Sequence, residues 1–424
     1  MTTKNLSAAG KLVMIWLGMF LSATVSAQTK ELSIEECYKL ARNNYPLLKQ
    51  AGVIEKTKNI SLDNASKGLL PQVSFAGQAT YQSDVTEIAI PGSPSLSKDQ
   101  YKIYTEITQP LTDIYTVRQQ KELVKANAIS ETQSLEAELY KLKERINQVF
   151  FGILVIDAQI DLTITLQKDI QAGIDKANAA VANGSGLKSS ADILKAELLK
   201  TGQKNIELKA ARKAYADMLS LFTNSVINES TKLQIPVSQT ASQEINRPEL
   251  KYYEALKKNI SIQNNLIKAK NIPRVNLFIQ GGYGRPALNF LKNDFSPYYI
   301  GGIRMNWNIA GLYTMKKEKL QVELNRQNAD IQKETFLFNT KLALAQQNNE
   351  INKYRELIET DNDIILLRNK IKTTANAQLE NGVISANDYL SYVNAEDQAR
   401  QNRSLHQFQL LMTQYSYQVT SGNQ

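Results

Sequence analysis

Few residues of this 424-residue chain have the chemistry to break bonds, and none of them stands in a constellation that would do so. His406 is the only histidine and lies in a helical stretch, so neither a histidine-rich metal site nor an imidazole relay can be assembled. Cys37 is the only cysteine. It sits on an expected helix without an activating base, which reads as a small core residue and excludes a disulfide framework. Gly281-Gly282-Tyr283-Gly284 follows a strand but leads into a proline loop instead of a helix. No glycine loop ends in Lys-Ser or Lys-Thr either, so nucleotide phosphates have no cradle. A glycosidase pair could be drawn from scattered carboxylates, but it needs a cleft to hold it. No catalytic residue, cofactor or metal is expected, and the chain reads as a non-enzyme. Asp192 and Asp388 are a different matter: each lies shortly after a glycine turn, and the two are 388 − 192 = 196 positions apart.

The elements that carry these residues are long. From Ile114 to about Asn183 no proline occurs and only Gly152 and Gly173 are weak points, while apolar residues recur at helical spacing. A continuous helix of that length would reach roughly 100 Å. Leu312 to Asn381 is as long and lacks both proline and glycine. Ordinary globular helices have about 8 to 20 residues, so two such rods imply a coiled-coil or bundle assembly.

The chain is also made twice. Pro46 and Pro248 are 248 − 46 = 202 positions apart, and so are Pro71 and Pro273 (273 − 71 = 202). Gly186 and Gly382 repeat the 196 of the aspartates (382 − 186 = 196). Residues 1–27 read as an export signal: Lys4 and Lys11, an apolar stretch from Leu12 to Val25, and a Val25-Ser26-Ala27 cleavage site. A first repeat then covers 28–240, with a helix, a β-hairpin over 71–111, a long helix over 113–183 and a return helix over 188–222. A second covers 241–424, with a helix, a hairpin over 273–310, a long helix over 312–381 and a return helix over 386–420. Ser33 caps the first helix, Glu36 completing a capping box; Ser189 or Ser190 and Ser385 are the expected caps of the return helices. The formal charge of +9 drops to 9 − 2 = +7 without Lys4 and Lys11, and the remaining charges are interspersed. A nucleic-acid partner would need clustered Lys and Arg, so none is expected.

In each hairpin the period is two. Val73, Phe75, Gly77, Ala79 and Tyr81 alternate with polar or small neighbours, as do Tyr101, Ile103, Thr105 and Ile107, then Val275, Leu277, Ile279, Gly281 and Tyr283, and finally Tyr299, Ile303 and Met305. Strands of 9 to 11 residues with one apolar face carry the signature of an outer-membrane barrel. Tyr81, Tyr101, Tyr283, Tyr298, Tyr299 and Trp307 near their ends suit a membrane interface. Four strands cannot close, and an open edge in lipid leaves backbone groups unsatisfied. Several chains must therefore contribute, and three would give twelve strands, enough for a lumen. Lys102, Glu106, Gln280, Arg304 and Asn306 would then face the pore. The rods likewise need neighbours along their length, which a ring of helices from three chains supplies.

The order helix, hairpin, long helix, glycine turn and short helix, given twice after an export signal, resembles the TolC family of outer-membrane efflux proteins. The likeness covers essentially the mature chain. Its most specific pieces are Leu32-Ser33-Ile34-Glu35-Glu36 with Asn44-Tyr45-Pro46, Leu70-Pro71, Asn183-Gly184-Ser185-Gly186 with Asp192-Ile193-Leu194, and Asn381-Gly382 with Asp388-Tyr389-Leu390. The resemblance implies a mainly α fold with a β-barrel contribution: a homotrimeric, 12-stranded outer-membrane barrel continued by a periplasmic α-helical coiled-coil tunnel. It implies a passive exit duct of a tripartite efflux or type I secretion system. Its partners would be outer-membrane lipid, a periplasmic adaptor (membrane fusion) protein and an inner-membrane RND or ABC transporter. Gly186, Leu187, Gly382 and Val383 would be the tips that meet the adaptor, and Asp192 and Asp388 would ring the aperture, where clustered carboxylates favour cations. Leu379, Ile384 and Ser391 stand where some members carry polar gating residues, which points to an apolar constriction here. A periplasmic coiled-coil scaffold with soluble hairpins is the alternative reading.

Overall fold

The computed structural model describes residues 31–86, 96–184, 186–237 and 244–423; the export signal and the Pro91–Pro94 loop lie outside the described residues. Helix α1 (Ile34–Asn44) is followed by a 3-10 turn (Pro46–Lys49), α2 (Gln50–Lys67), strands β1 (Gln72–Tyr81) and β2 (Asp99–Pro110), α3 (Ile114–Tyr140), α4 (Leu142–Ala182) and α5 (Lys188–Thr223). Then come α6 (Pro248–Lys270), β3 (Arg274–Arg285), β4 (Ser296–Asn306), α7 (Gly311–Glu380) and α8 (Ala386–Ser421).

Local chemistry explains most of the boundaries. Ser33 Oγ accepts a hydrogen bond from the Glu36 backbone N–H at 3.2 Å, so the α1 cap stands where the capping-box pattern puts it. Pro46 begins the 3-10 turn and Pro248 opens α6, positions where a missing N–H costs no helical bond. The first rod departs from expectation. It is interrupted at Lys141, whose N–H turns back to the Glu138 carbonyl, while both glycines lie within α4. Each glycine is a packing notch. A Cβ at Gly152 would come within 2.7 Å of the Tyr215 ring, and one at Gly173 within 2.9 Å of the Tyr389 ring. The second rod, α7, runs unbroken for 70 residues.

Two compact units form, and each draws on both repeats. One comprises residues up to 44, 144–239 and 351–413; the other comprises 45–143, 240–350 and 414–424. The first holds the deepest core. Ile146, Phe150, Phe151 and Ile153 of α4 are sealed from solvent together with Ile34 and Cys37 of α1 and Leu219 of α5. Of the part of the α3–α4 stretch apolar enough to cross a bilayer by composition, 44 % is buried, so core packing accounts for part of that character. The Arg212 guanidinium, 8 % exposed, is held by both oxygens of Asp157 and by the carbonyls of Asn228 (3.1 Å) and Thr231 (3.0 Å), which take four of its five N–H groups. The second unit contains α2, α3 and α6 packed together, the start of α7, and one antiparallel sheet in the order β1-β2-β3-β4. On α7, Met315, Val322 and Ala329 pack with Leu256, Ile260 and Ile267 of α6.

Candidate functional site

The strand registers resolve the two faces of the sheet. Val73 pairs with Ile107, Phe75 with Thr105, Ile103 with Tyr283, Ile107 with Ile279, Leu277 with Ile303 and Val275 with Met305. Because side chains alternate along a strand, all of these share one face. That face is uncovered: Phe75 is 75 % exposed and Ile303 71 %, with Val73, Ile103, Ile279 and Met305 exposed beside them. A water-facing sheet would carry polar residues there, and an apolar area of this extent marks a surface meant for something other than water. Strands of 10 to 12 residues measure about 34–41 Å, which at barrel tilt spans an apolar band of about 25 Å. Tyr81, Tyr101, Tyr283 and Tyr299 flank the loop ends of the strands on this face. At the opposite ends Trp307 is half exposed, its indole N–H donating to the Asn271 carbonyl at 3.1 Å, and Tyr115 and Tyr313 are exposed just past the strands.

The other face is polar and internally bonded. Arg304 on β4 reaches over the Phe278 ring, 4.2 Å from its centroid, and places two guanidinium N–H groups on the Glu106 carboxylate of β2 at 2.8 and 3.0 Å. Gly302 leaves that ring room, since a Cβ there would stand 3.3 Å from it. Gln280 donates to the Tyr298 hydroxyl at 2.9 Å. Tyr298 thus belongs to the polar face, which corrects the expectation that it joins the interfacial belt with Tyr299; consecutive strand residues cannot share a face. Lys102 lies four residues along β2 from Glu106, and Asn306 two residues along β4 from Arg304, so all five polar residues selected from the sequence fall on one face. Both outer edges of the sheet, on β1 and on β4, lack a partner strand among the described residues.

In the other unit the two helix turns converge on one apolar cluster: Leu166, Ile170, Ile174 and Ala177 of α4, Ala191 and Leu194 of α5, Ala375 of α7, and Ala386, Tyr389, Leu390 and Val393 of α8. Leu379 and Ile384 pack against it. Gly382 adopts a left-handed φ of +69°, with Gly382 N–H to Leu379 and Val383 N–H to Gln378, the paired bonds of a Schellman stop. In the first turn the left-handed residue is Gly184, at φ +72°. The turns therefore match at 382 − 184 = 198, not at the 196 of the sequence pattern. Gly186 has a different role: its N–H bonds the Ala180 carbonyl at 3.0 Å, and a Cβ would stand 2.8 Å from that of Ala180.

The two aspartates consequently occupy different stations. Asp388 is the third residue of α8, and its carboxylate accepts from the Ser385 N–H (3.1 Å) and Oγ (2.6 Å) while Ser385 Oγ accepts from the Asp388 N–H (3.2 Å). Those Ser385 bonds hold the Asp388 carboxyl below the usual range. Asp192 is the fifth residue of α5, exposed, with Lys195 3.6 Å away. The α5 cap position falls on Leu187 and has no side-chain bond, so neither Ser189 nor Ser190 caps it. Leu187 and Val383 are widely exposed at the apices.

Two lysines missed by sequence reasoning tie α4 to α7. Lys176 pairs with Glu380 and donates to Asn376 at 2.7 Å; Lys372 contacts Asp169 at 3.0 Å and the buried Glu396 of α8 at 3.3 Å. They lie 372 − 176 = 196 positions apart, two short of the 198 that relates the turns, so they do not occupy matching stations and the repeat gave no signal for them.

No family model matches the chain, and none of the curated proteins matches it in sequence. Its fold does match solved structures. The outer-membrane channel OprN is 12 % identical over 92 % of this chain and 90 % of its own, with a TM-score of 0.67. The Campylobacter jejuni CmeC outer membrane channel is 14 % identical over 92 % and 85 %, at 0.65. The open state of the Neisseria gonorrhoeae MtrE outer membrane channel is 14 % identical over 92 % and 88 %, at 0.64. The fold of this chain is that of the outer-membrane channels.

Proposed function

We propose that the protein is an outer-membrane efflux duct: a homotrimer whose three sheets close a 12-stranded barrel in lipid and whose helices continue it as a periplasmic tunnel. The observation that carries this reading is the sheet itself, apolar and uncovered on one face, polar on the other and, among the described residues, unpaired at both edges. Lipid covers the first face, the pore wets the second, and neighbouring copies complete the edges. The fold shared with OprN, CmeC and MtrE supports it.

The helices favour the same assembly. Leu320, Leu324, Ile331, Phe338 and Leu342 form an exposed stripe on α7 at steps of four, seven, seven and four, the spacing of a coiled-coil seam awaiting another helix. Lys102, Glu106, Gln280, Arg304 and Asn306 line the lumen. Gly186, Leu187, Gly382 and Val383 are the tips offered to a periplasmic adaptor serving an inner-membrane RND or ABC transporter, and Asp192 and Asp388 supply acidic charge near them. Conduction is passive, driven by the partner pump. Planar-bilayer recording of the purified protein tests this: the expected result is open-ended ionic current, with a cation preference that weakens when Asp192 and Asp388 are both replaced by Asn. Unchanged selectivity would remove the acidic mouth and leave the pore; absence of conductance, with the protein fractionating as a soluble periplasmic species, would favour the scaffold reading.

A further inference from the structure

Loops that leave a sheet for water are ordinarily polar. The ten residues 286–295 between β3 and β4 are not: Leu288, Phe290, Leu291 and Phe295 are all exposed. The loop has a defined shape. Asn289 Oδ1 accepts from the Leu291 N–H at 3.1 Å and its carbonyl accepts from the Lys292 N–H at 3.1 Å, a tight turn that sets Phe290 and Leu291 at its apex. Asn293 Oδ1 accepts from the Ser97 N–H at 3.2 Å and ties the loop to the start of β2.

Its base lies on the apolar side of the sheet. Phe295 stacks on Tyr283 and Tyr101, with centroids 5.8 and 6.2 Å away, and both of those rings belong to the uncovered face. The Arg285 guanidinium, paired with Asp99, caps Phe295 and Tyr101 at 5.2 and 5.5 Å. The loop thus continues the apolar surface beyond the strand ends. Lys292 and Asp294 balance in charge, so nothing in it selects a charged partner.

We propose that the β3–β4 loop is a lipid-binding collar, its Leu288, Phe290 and Leu291 side chains inserted among acyl chains of the outer leaflet around the barrel mouth. This rests on the outer-membrane reading above and adds a second lipid contact to it, of the kind an interfacial segment makes. Insertion of a loop at the rim adds an anchor in the leaflet to the aromatic residues at the strand ends.

The test is a nitroxide label at Leu288→Cys, in full-length protein reconstituted into phosphatidylcholine bilayers. Cys37 is sealed in the core and its burial pushes the thiol up to about 12, so it does not compete for the label. Phe75→Cys reports the sheet face and Leu187→Cys serves as a water reference. The expected result is a ratio of oxygen to aqueous nickel-chelate collisions several-fold higher at 288 and 75 than at 187. A lipid signature at 75 with a water signature at 288 overturns the collar alone. A label at 288 shielded from both reagents overturns it in favour of packing against another copy. Water signatures at both 75 and 288 overturn the outer-membrane reading itself.

Discussion

The sheet and the helical turns distribute their information differently. In the sheet, one parity rule assigns every residue between Gln72 and Asn306 that lies in a strand, and neighbours in sequence have opposite surroundings. At the turns nothing is so regular: Gly184 and Gly382 share a conformation, yet one following helix begins at Leu187 without a side-chain cap and the other at Ser385 with a reciprocal one. A periodic element tolerates exchange within a face and fails on exchange between faces, whereas a turn depends on single contacts. Substitutions should therefore be abrupt in the sheet and graded at the turns.

The largest expected effect comes from two adjacent positions of β3. Ile279→Arg places a cation on the apolar face near mid-strand and should cost about 2–4 kcal/mol of insertion free energy. Gln280→Arg, one residue on, should leave assembly intact, because that face is already polar. Extraction of each variant from outer membranes measures the contrast; equal tolerance would dissolve the two-faced sheet.

Next is a buried carboxyl below the turns. Burial raises Asp397 to about 6, and the charges of Glu396 and Asp169 push the same way against the Gln401 hydrogen bond and Arg400. A folded value above the ordinary 3.8 means that the native state binds the proton more tightly. Stability therefore falls as pH rises from about 4 to 6, and the full cost, about 1–3 kcal/mol, stands above that range. Asp397→Asn should raise the melting temperature at pH 8 and flatten its dependence between pH 4 and 6. An unchanged pH profile would contradict it.

The caps give a smaller difference. Ser385→Ala removes a side-chain cap and should lower stability by about 1 kcal/mol, while Ser190→Ala, in the first turn of α5 where no side chain caps the helix, should be near neutral. Thermal melts of the two variants compare the turns directly. The smallest effect is a shift in ionic preference. Among the strand residues of the polar face Lys102, Arg274 and Arg304 outnumber Glu106 by two charges, so Glu106→Gln raises the positive excess from two to three and should move bilayer reversal potentials toward anions by a few millivolts.

Much of this was readable in the chain because periodicity survives tertiary packing. The alternation of Val73 to Tyr81 and of Val275 to Tyr283 gave both strands and their faces, and the same parity separates Tyr298 from Tyr299. Helix lengths followed from proline placement, but the break at Lys141 did not, since Lys is a good helix former and the interruption has no local signal. Glycine pointed to the turns without distinguishing the left-handed role of Gly184 from the close-packing role of Gly186. That ambiguity shifted the pairing of the aspartates by two residues. The Lys176 and Lys372 bridges join residues about 200 positions apart and became visible only with the helices side by side.

The central claim is that the four-stranded sheet is one third of a lipid-embedded barrel. Light scattering of the protein extracted in detergent from outer membranes, with the detergent mass subtracted, tests it directly. The expected mass is that of three chains, held without disulfides. A single chain, soluble without detergent and with its apolar sheet face in water, would contradict the account.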